Sequence, residues 1–413
     1  MSTPITTRVA LTSKLPNVGT TIFTVMSKLA TETGAINLSQ GFPGFDCSPE
    51  LVSLVEKYLR AGFNQYAPMT GVPALREALA QKTFAEYNVA YDPESEVTVT
   101  SGATEAIFAA VTAVVRPGDE VIVLEPAYDS YVPAIELNGG IPIYVTLTPS
   151  GVDSPSVDSP SVASSGRSVG AVDSSDYAID WQQVSEKITE KTRLILVNTP
   201  HNPTGYVWTA DDLNQLADLI RDRNIWIVSD EVYEHILFDG RKHHSLMTHP
   251  ELQERTFIIG SFGKTFHITG WKIGYCLAPK ELSVEFRKVH QYLTFSTVTP
   301  IQYALADYLQ EPAHYRQLPD FYQRKRDLFL AGLQGSRFTL KPAEGSFFQT
   351  VSYAAITDEP DYDLAIRLTK EIGVASIPVS VFYNQKNDYK LLRFCFAKDD
   401  AVLQQAAERL RQL

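Results

Sequence analysis

Leu194-Ile195-Leu196-Val197-Asn198-Thr199-Pro200-His201-Asn202-Pro203-Thr204-Gly205 and Ile225-Trp226-Ile227-Val228-Ser229-Asp230-Glu231-Val232-Tyr233 are the two stretches that decide the fold. Each opens on an apolar run of about four residues, the mark of a strand covered on both faces, and passes straight into polar or turn-forming residues. Further runs flank them. Val97–Thr100 precedes the helical pattern Ala106–Val115, Val121–Leu124 precedes Tyr128–Leu137, Asp211–Arg223 reads as a helix, and Thr256–Ile259 is a later strand. Strands alternating with helices predict an α/β fold with a mostly parallel sheet flanked by helices. In such sheets ligands bind beyond the carboxyl ends of the strands, where the polar motifs of this chain fall.

The C-terminal third changes character. A long helical region from Thr299 to Leu333 is followed by short strands near Phe338–Leu340, Phe347–Val351 and Leu391–Phe396, and by helices near Tyr362–Ile372 and Asp400–Leu413. This predicts a smaller α+β domain. Residues 1–45 are expected to pack on it, leaving 46–295 as the large domain and 296–413 as the small one. Within the large domain, 149–176 is rich in Ser, Val, Gly and Asp and holds the imperfect tandem repeat Val152–Ser156 and Val157–Ser161. So little large apolar surface cannot offset the entropy of ordering, so a flexible surface insertion is expected.

The 413 residues suggest two or three domains at roughly 100–200 residues each. A net charge of −12 argues against a broad nucleic-acid surface. Cys47, Cys276 and Cys395 form no CxxC pair and no metal-ligand spacing, as expected of reduced thiols in a cytoplasmic protein. The N-terminus lacks a continuous apolar signal region, and no run of about 18 apolar residues marks a membrane span.

Five motifs carry chemistry. Ser261-Phe262-Gly263-Lys264 follows a strand, with Lys272 eight residues on. A lysine that forms a Schiff base must be a neutral amine, so it needs burial or a nearby cation such as Lys272 to lower its pKa. Asp230 ends a strand; it is either a helix N-cap or a carboxylate facing a pyridinium nitrogen, with Tyr233 three residues on. Asn202 sits in a turn stiffened by two prolines and a glycine. Thr100-Ser101-Gly102-Ala103-Thr104-Glu105 leads from strand to helix with small residues, which suits either an ordinary cap or a phosphate at the helix N-terminus. Arg393 lies in the apolar run Leu391–Phe396 and needs a carboxylate, either internal or brought by a substrate. No GxGxxG or GxxxxGK[ST] is present.

Together with Asn37–Pro43, Asn64–Gly71, Ser261–Tyr275 and Val289–Phe295, these motifs resemble the class I, fold type I, pyridoxal-phosphate-dependent aminotransferases. Within them the chain resembles the methionine aminotransferase and kynurenine/glutamine transaminase branch, from about residue 20 to the end, the Ser/Asp-rich insertion excepted. The resemblance implies pyridoxal 5'-phosphate as cofactor, an amino acid and a 2-oxo acid as substrates, and a homodimer. It implies that Lys264 binds the cofactor covalently and moves the proton, and that Asp230 pairs with the ring nitrogen. Tyr233 and Asn202 would bond the ring's 3-hydroxyl oxygen, and Asn202 also the substrate carboxylate. Ala103, Thr104, Ser261 and Lys272 would hold the phosphate, with Tyr66 reaching the phosphate of the partner subunit, and Tyr128 would stack on the ring. Arg393 and the backbone of Gly41 would hold the substrate carboxylate, and Phe23 and Phe295 would line the side-chain pocket. Lysine stands at 272 where many class I members have arginine. Ser296 and Thr104 stand where some kynurenine-transaminating relatives have a histidine and an aromatic, which favours methionine and similar apolar donors. A cysteine-S-conjugate or cystathionine β-lyase would use most of the same residues and is the main alternative. A pyridoxal-phosphate-sensing regulator would need a basic helix-turn-helix before Asn37, and a nicotinamide oxidoreductase would need the missing glycine fingerprint.

Overall fold

The computed structural model describes residues 11–147, Pro149 and 177–413. Apart from Pro149, which bridges to Tyr177, the predicted insertion at 149–176 lies outside the described residues. Near the N-terminus, Thr21 caps the helix Ile22–Thr33, which is followed by the two-residue strand β1 (Ile36–Asn37). The central sheet is built from β2 (Val97–Thr100), β3 (Glu120–Glu125), β4 (Ile141–Thr146), β5 (Thr192–Asn198), β6 (Trp226–Asp230), β7 (Thr256–Ser261) and β8 (Gly274–Leu277). Its order is β2-β8-β7-β6-β5-β3-β4. Every pair is parallel except the two made by β8, which runs antiparallel to both β2 and β7. The molecule is therefore α/β with a mostly parallel, helix-flanked sheet, as the apolar runs predicted.

Alternation along the strands supplies both faces. Val121 and Val123 of β3 and Leu194 and Leu196 of β5 enter one core, while Ile122 and Leu124, and Ile195 and Val197, enter the other. Two strands of the central sheet escape the sequence reading. β4 is an edge strand, half-exposed and carrying Pro142, a composition that suits an edge and dilutes the apolar run. β8 is short, fully buried and begins at a glycine. The predicted helix Tyr128–Leu137 begins at Tyr131 instead.

In the C-terminal part, β9 (Phe348–Ser352), β11 (Ile377–Pro378) and β12 (Leu391–Cys395) form an antiparallel sheet with β12 at its centre, and β10 (Val374–Ala375) pairs in parallel with β1. The N-terminal segment thus joins the C-terminal part through a strand pair. The long helical region splits into Thr299–Tyr308, Ala313–Arg316 and Leu318–Leu333, because Pro312 and Pro319 each favour a new helix start. The expected strand at Phe338–Leu340 is reduced to a single bridge, Thr339 to Ser352. Among the described residues no helix is long and apolar enough to cross a membrane.

Candidate active site

Parallel register brings the polar ends of β5 and β6 side by side. Asn198 faces Asp230 across the ladder, and its side-chain amide donates to the Asp230 carbonyl at 2.8 Å. The Asn198 side-chain oxygen in turn accepts from the Asn202 backbone N–H at 2.8 Å, which fixes the turn after β5. That turn carries cis peptides before Pro200 and Pro203 and closes on Gly205 at φ 74°. Beyond these strand ends lies a cavity of about 310 Å³.

Asp230 is buried at its floor. Its Oδ2 accepts from the Tyr131 hydroxyl at 2.7 Å and its Oδ1 from the Val232 N–H at 3.3 Å. Burial pushes the carboxyl up to about 6, although the Tyr131 hydroxyl, the Val232 N–H and Lys264 all favour its charged form. It is a carboxylate aimed into the cavity rather than a helix N-cap, the other role open to it in the sequence.

Lys264 lies in the one-turn helix Phe262–Thr265 that follows β7. Its Nζ donates to the Gly41 carbonyl at 2.9 Å. Burial lowers the amine to about 8; Cys395 and Asp230 oppose that fall, and Arg393 and Lys272 add to it. Desolvation thus does most of the work that the sequence reading shared between burial and Lys272. The Tyr233 ring lies beside the amine, 5.7 Å from its centroid to Nζ.

At one end of the cavity the helix Ala103–Val114 begins at Gly102, φ 82°, with no side chain capping its first N–H groups. A Cβ at Gly102 would stand 3.2 Å from Lys272 Nζ, so glycine leaves the lysine room to reach this turn. Ser261, Ala103 and Thr104 line the same end, and Tyr128 lies edge-on to Tyr131. At the other end Arg393, fully buried on β12, donates from Nη1 to Asn202 Oδ1 at 2.8 Å and from Nη2 to the Ser39 carbonyl at 2.9 Å. Its Nε has no partner; Asp129 acts on the guanidinium only through space. The guanidinium lies 4.0 Å over the Phe348 ring, with Phe23 and Phe382 at 5.4 and 5.3 Å. Gln40 holds the Phe23 segment by donating to the Phe23 carbonyl at 3.0 Å.

The fold thus gathers Phe23, Gly41, Ala103, Thr104, Tyr128 and Asn202 with Asp230, Tyr233, Ser261, Lys264, Lys272 and Arg393 around one cavity. It does not bring Tyr66 and Phe295 there. Those two rings pack edge to face at 5.1 Å elsewhere on the surface, 82% and 52% exposed. The Gly41 carbonyl is occupied by Lys264. Tyr131, Asn198, Gln40 and Phe348 were not singled out from sequence; Asn198 alone had a usable signal, as the last residue of a strand neighbouring that of Asp230.

These groups fit pyridoxal phosphate: an amine kept reactive by burial, a carboxylate for the ring nitrogen, an uncapped helix N-terminus with a lysine for the phosphate, and a guanidinium with an unused N–H for a carboxylate. Residues 33–410 match the family model described as aminotransferase class I and II. The chain is 50% identical over 402 residues to a methionine aminotransferase of Escherichia coli strain K12, covering 97% of this chain and 98% of that one. It is 36% identical to a kynurenine-oxoglutarate transaminase of Dictyostelium discoideum, covering 96% and 94%. A crystal structure of YbdL from Escherichia coli, which identifies a methionine aminotransferase function, superposes with a TM-score of 0.91 at 50% identity, covering 98% of this chain and all of that one.

Proposed function

The chain belongs to the class I and II aminotransferases, and from that premise we propose that it transfers the amino group of methionine or a similarly apolar L-amino acid to a 2-oxo acid. It is a pyridoxal-phosphate-dependent transaminase of fold type I. The observation that carries the reading is the placing of a desolvated lysine amine and a buried carboxylate in one cavity with an incompletely paired arginine. Bound pyridoxal phosphate supplies an aldehyde that condenses with amines and a ring that accepts the electrons released when the substrate's Cα–H bond breaks.

The chain's residues do the rest. Ala103 and Thr104 N–H groups, Ser261 Oγ and Lys272 Nζ hold the phosphate. Tyr128 covers the ring, and Tyr233 and Asn202 hold its phenolic oxygen. Asp230 keeps a proton on the ring nitrogen, with Tyr131 fixing one carboxylate oxygen. Arg393 orients the substrate by its carboxylate, with the Gly41 backbone lining the same cavity. Lys264 Nζ, which burial makes easier to deprotonate than an exposed lysine by lowering its pKa to about 8, takes the Cα proton and later returns it. Phe23 and Phe348 give the side-chain end an apolar wall. Tyr66 and Phe295, outside this chain's cavity and largely exposed, are offered to a second copy, so the working unit is a homodimer. The domain division 1–45, 46–295 and 296–413 is kept with this reading, as is a cytoplasmic location, which the three free cysteines support. A donor screen against one fixed 2-oxo acid tests it: methionine should give the highest kcat/KM among methionine, glutamine, kynurenine, phenylalanine and aspartate. Aspartate in first place would refute the apolar assignment.

A further inference from the structure

Glu105 poses a charge problem. It lies in the first turn of the helix Ala103–Val114, and its Oε2 accepts from the Ser101 N–H at 3.2 Å, inside the turn assigned to the phosphate. A carboxylate and a phosphate at one helix N-terminus repel each other. The buried side of Glu105 meets His290, from the helix Lys280–Leu293 packed against this one. His290 is fully buried; its Nδ1 lies 2.9 Å from Glu105 Oε1 and its Nε2 3.1 Å from the Met69 carbonyl. A carbonyl only accepts, so Nε2 carries a hydrogen. The Nδ1 to Oε1 contact then holds one shared proton. Whichever atom keeps that proton, the pair has no net charge.

We propose that His290 is a positioning residue of the cofactor site: it cancels the charge of Glu105 and so lets the turn Ser101-Gly102-Ala103-Thr104 accept a phosphate. This rests on the placing of the phosphate proposed above. The ring cannot easily turn away, being held by the Met69 carbonyl and stacked on Phe286 at 6.1 Å. If the histidine only stitched two helices together, its loss would weaken the protein without discriminating between ligands. Charge cancellation makes a different demand, that its loss count against a phosphorylated ligand and spare an unphosphorylated one.

The test is the ratio of two affinities. The full chain, freed of cofactor by dialysis, is titrated with pyridoxal phosphate and with pyridoxal, following the absorbance of the lysine adduct. His290→Asn should reduce the preference for the phosphorylated form by about ten-fold or more. His290→Asn combined with Glu105→Gln should restore it to within about three-fold. Glu105→Gln alone, which keeps the histidine, should leave the preference unchanged or raise it. An unchanged preference in folded His290→Asn, no recovery in the double variant, or a fall in Glu105→Gln alone overturns the proposal. Should His290→Asn not fold, the Glu105→Gln arm decides alone. Failure of the unaltered protein to form an adduct with either compound would reject the cofactor site itself, before any variant is made.

Discussion

Asp230 and Arg393 are both buried ionisable groups in one cavity, yet the fold treats them in opposite ways. Asp230 is finished from within: a tyrosine hydroxyl and a backbone N–H serve its two oxygens, and its neighbour Asn198 locks the backbone beneath it. Arg393 is left unfinished. It donates to one amide oxygen and one carbonyl, keeps an unused Nε, and is surrounded by aromatic rings. Burial lowers its pKa to about 10, a fall that Cys395, Tyr233 and Asp129 only partly oppose. On the proposed function the contrast has a reason: a permanent partner is built completely into the protein, whereas a group meant to take up and release a ligand keeps a vacancy in its hydrogen bonding.

Three experiments can break or sharpen that contrast. The largest effect belongs to the residue between the two. Lys264→Ala should lower kcat on the order of 10⁴-fold, because the proton relay is gone. It should also abolish the absorbance band of the lysine-bound cofactor; a variant that kept both band and turnover would remove the centre of the scheme. Next comes the unfinished end. Arg393→Lys retains charge but not the planar fork, so kcat/KM should fall about 100-fold, mostly through KM. Unchanged steady-state constants would mean that the carboxylate is held elsewhere. The smallest effect lies at the finished end. Tyr131→Phe removes a donor that favours the charged carboxylate, so the Asp230 pKa should rise further above its already raised value of about 6. Ionised Asp230 is then lost at higher pH, and the acidic limb of the kcat/KM profile should move upward, with kcat down about ten-fold at neutral pH. A downward shift would contradict the sign of that hydrogen bond.

What the sequence made legible follows a physical line. Buried parallel strands need continuous apolar runs, so β3, β5, β6 and β7 could be seen, and with them the residues that follow directly: Asn202, Asp230, Ser261 and Lys264. Edge strand β4 stayed hidden, since half-exposure and Pro142 erase the pattern. Contacts that depend on register or on the crossing of distant segments were not legible either. Asn198 reaches Asp230 only because β5 and β6 align as they do, and Tyr131 reaches it across 99 residues of chain. The resemblance to a family sent Tyr66 to the partner's site, but no pattern within one chain could show that Phe295, expected to line the pocket, would lie outside its own cavity.

The hydrogen bond from Lys264 to the Gly41 carbonyl has one last implication. That oxygen is a resting berth for the nitrogen, on a segment that also reaches Arg393 through Ser39 and Phe23 through Gln40. A group condensing with this amine would have to draw the nitrogen off its berth, at a cost of about 1 kcal/mol for a bond of this kind. Release of that bond would leave the Gly41 carbonyl open on the same segment that Ser39 ties to Arg393 and Gln40 ties to Phe23.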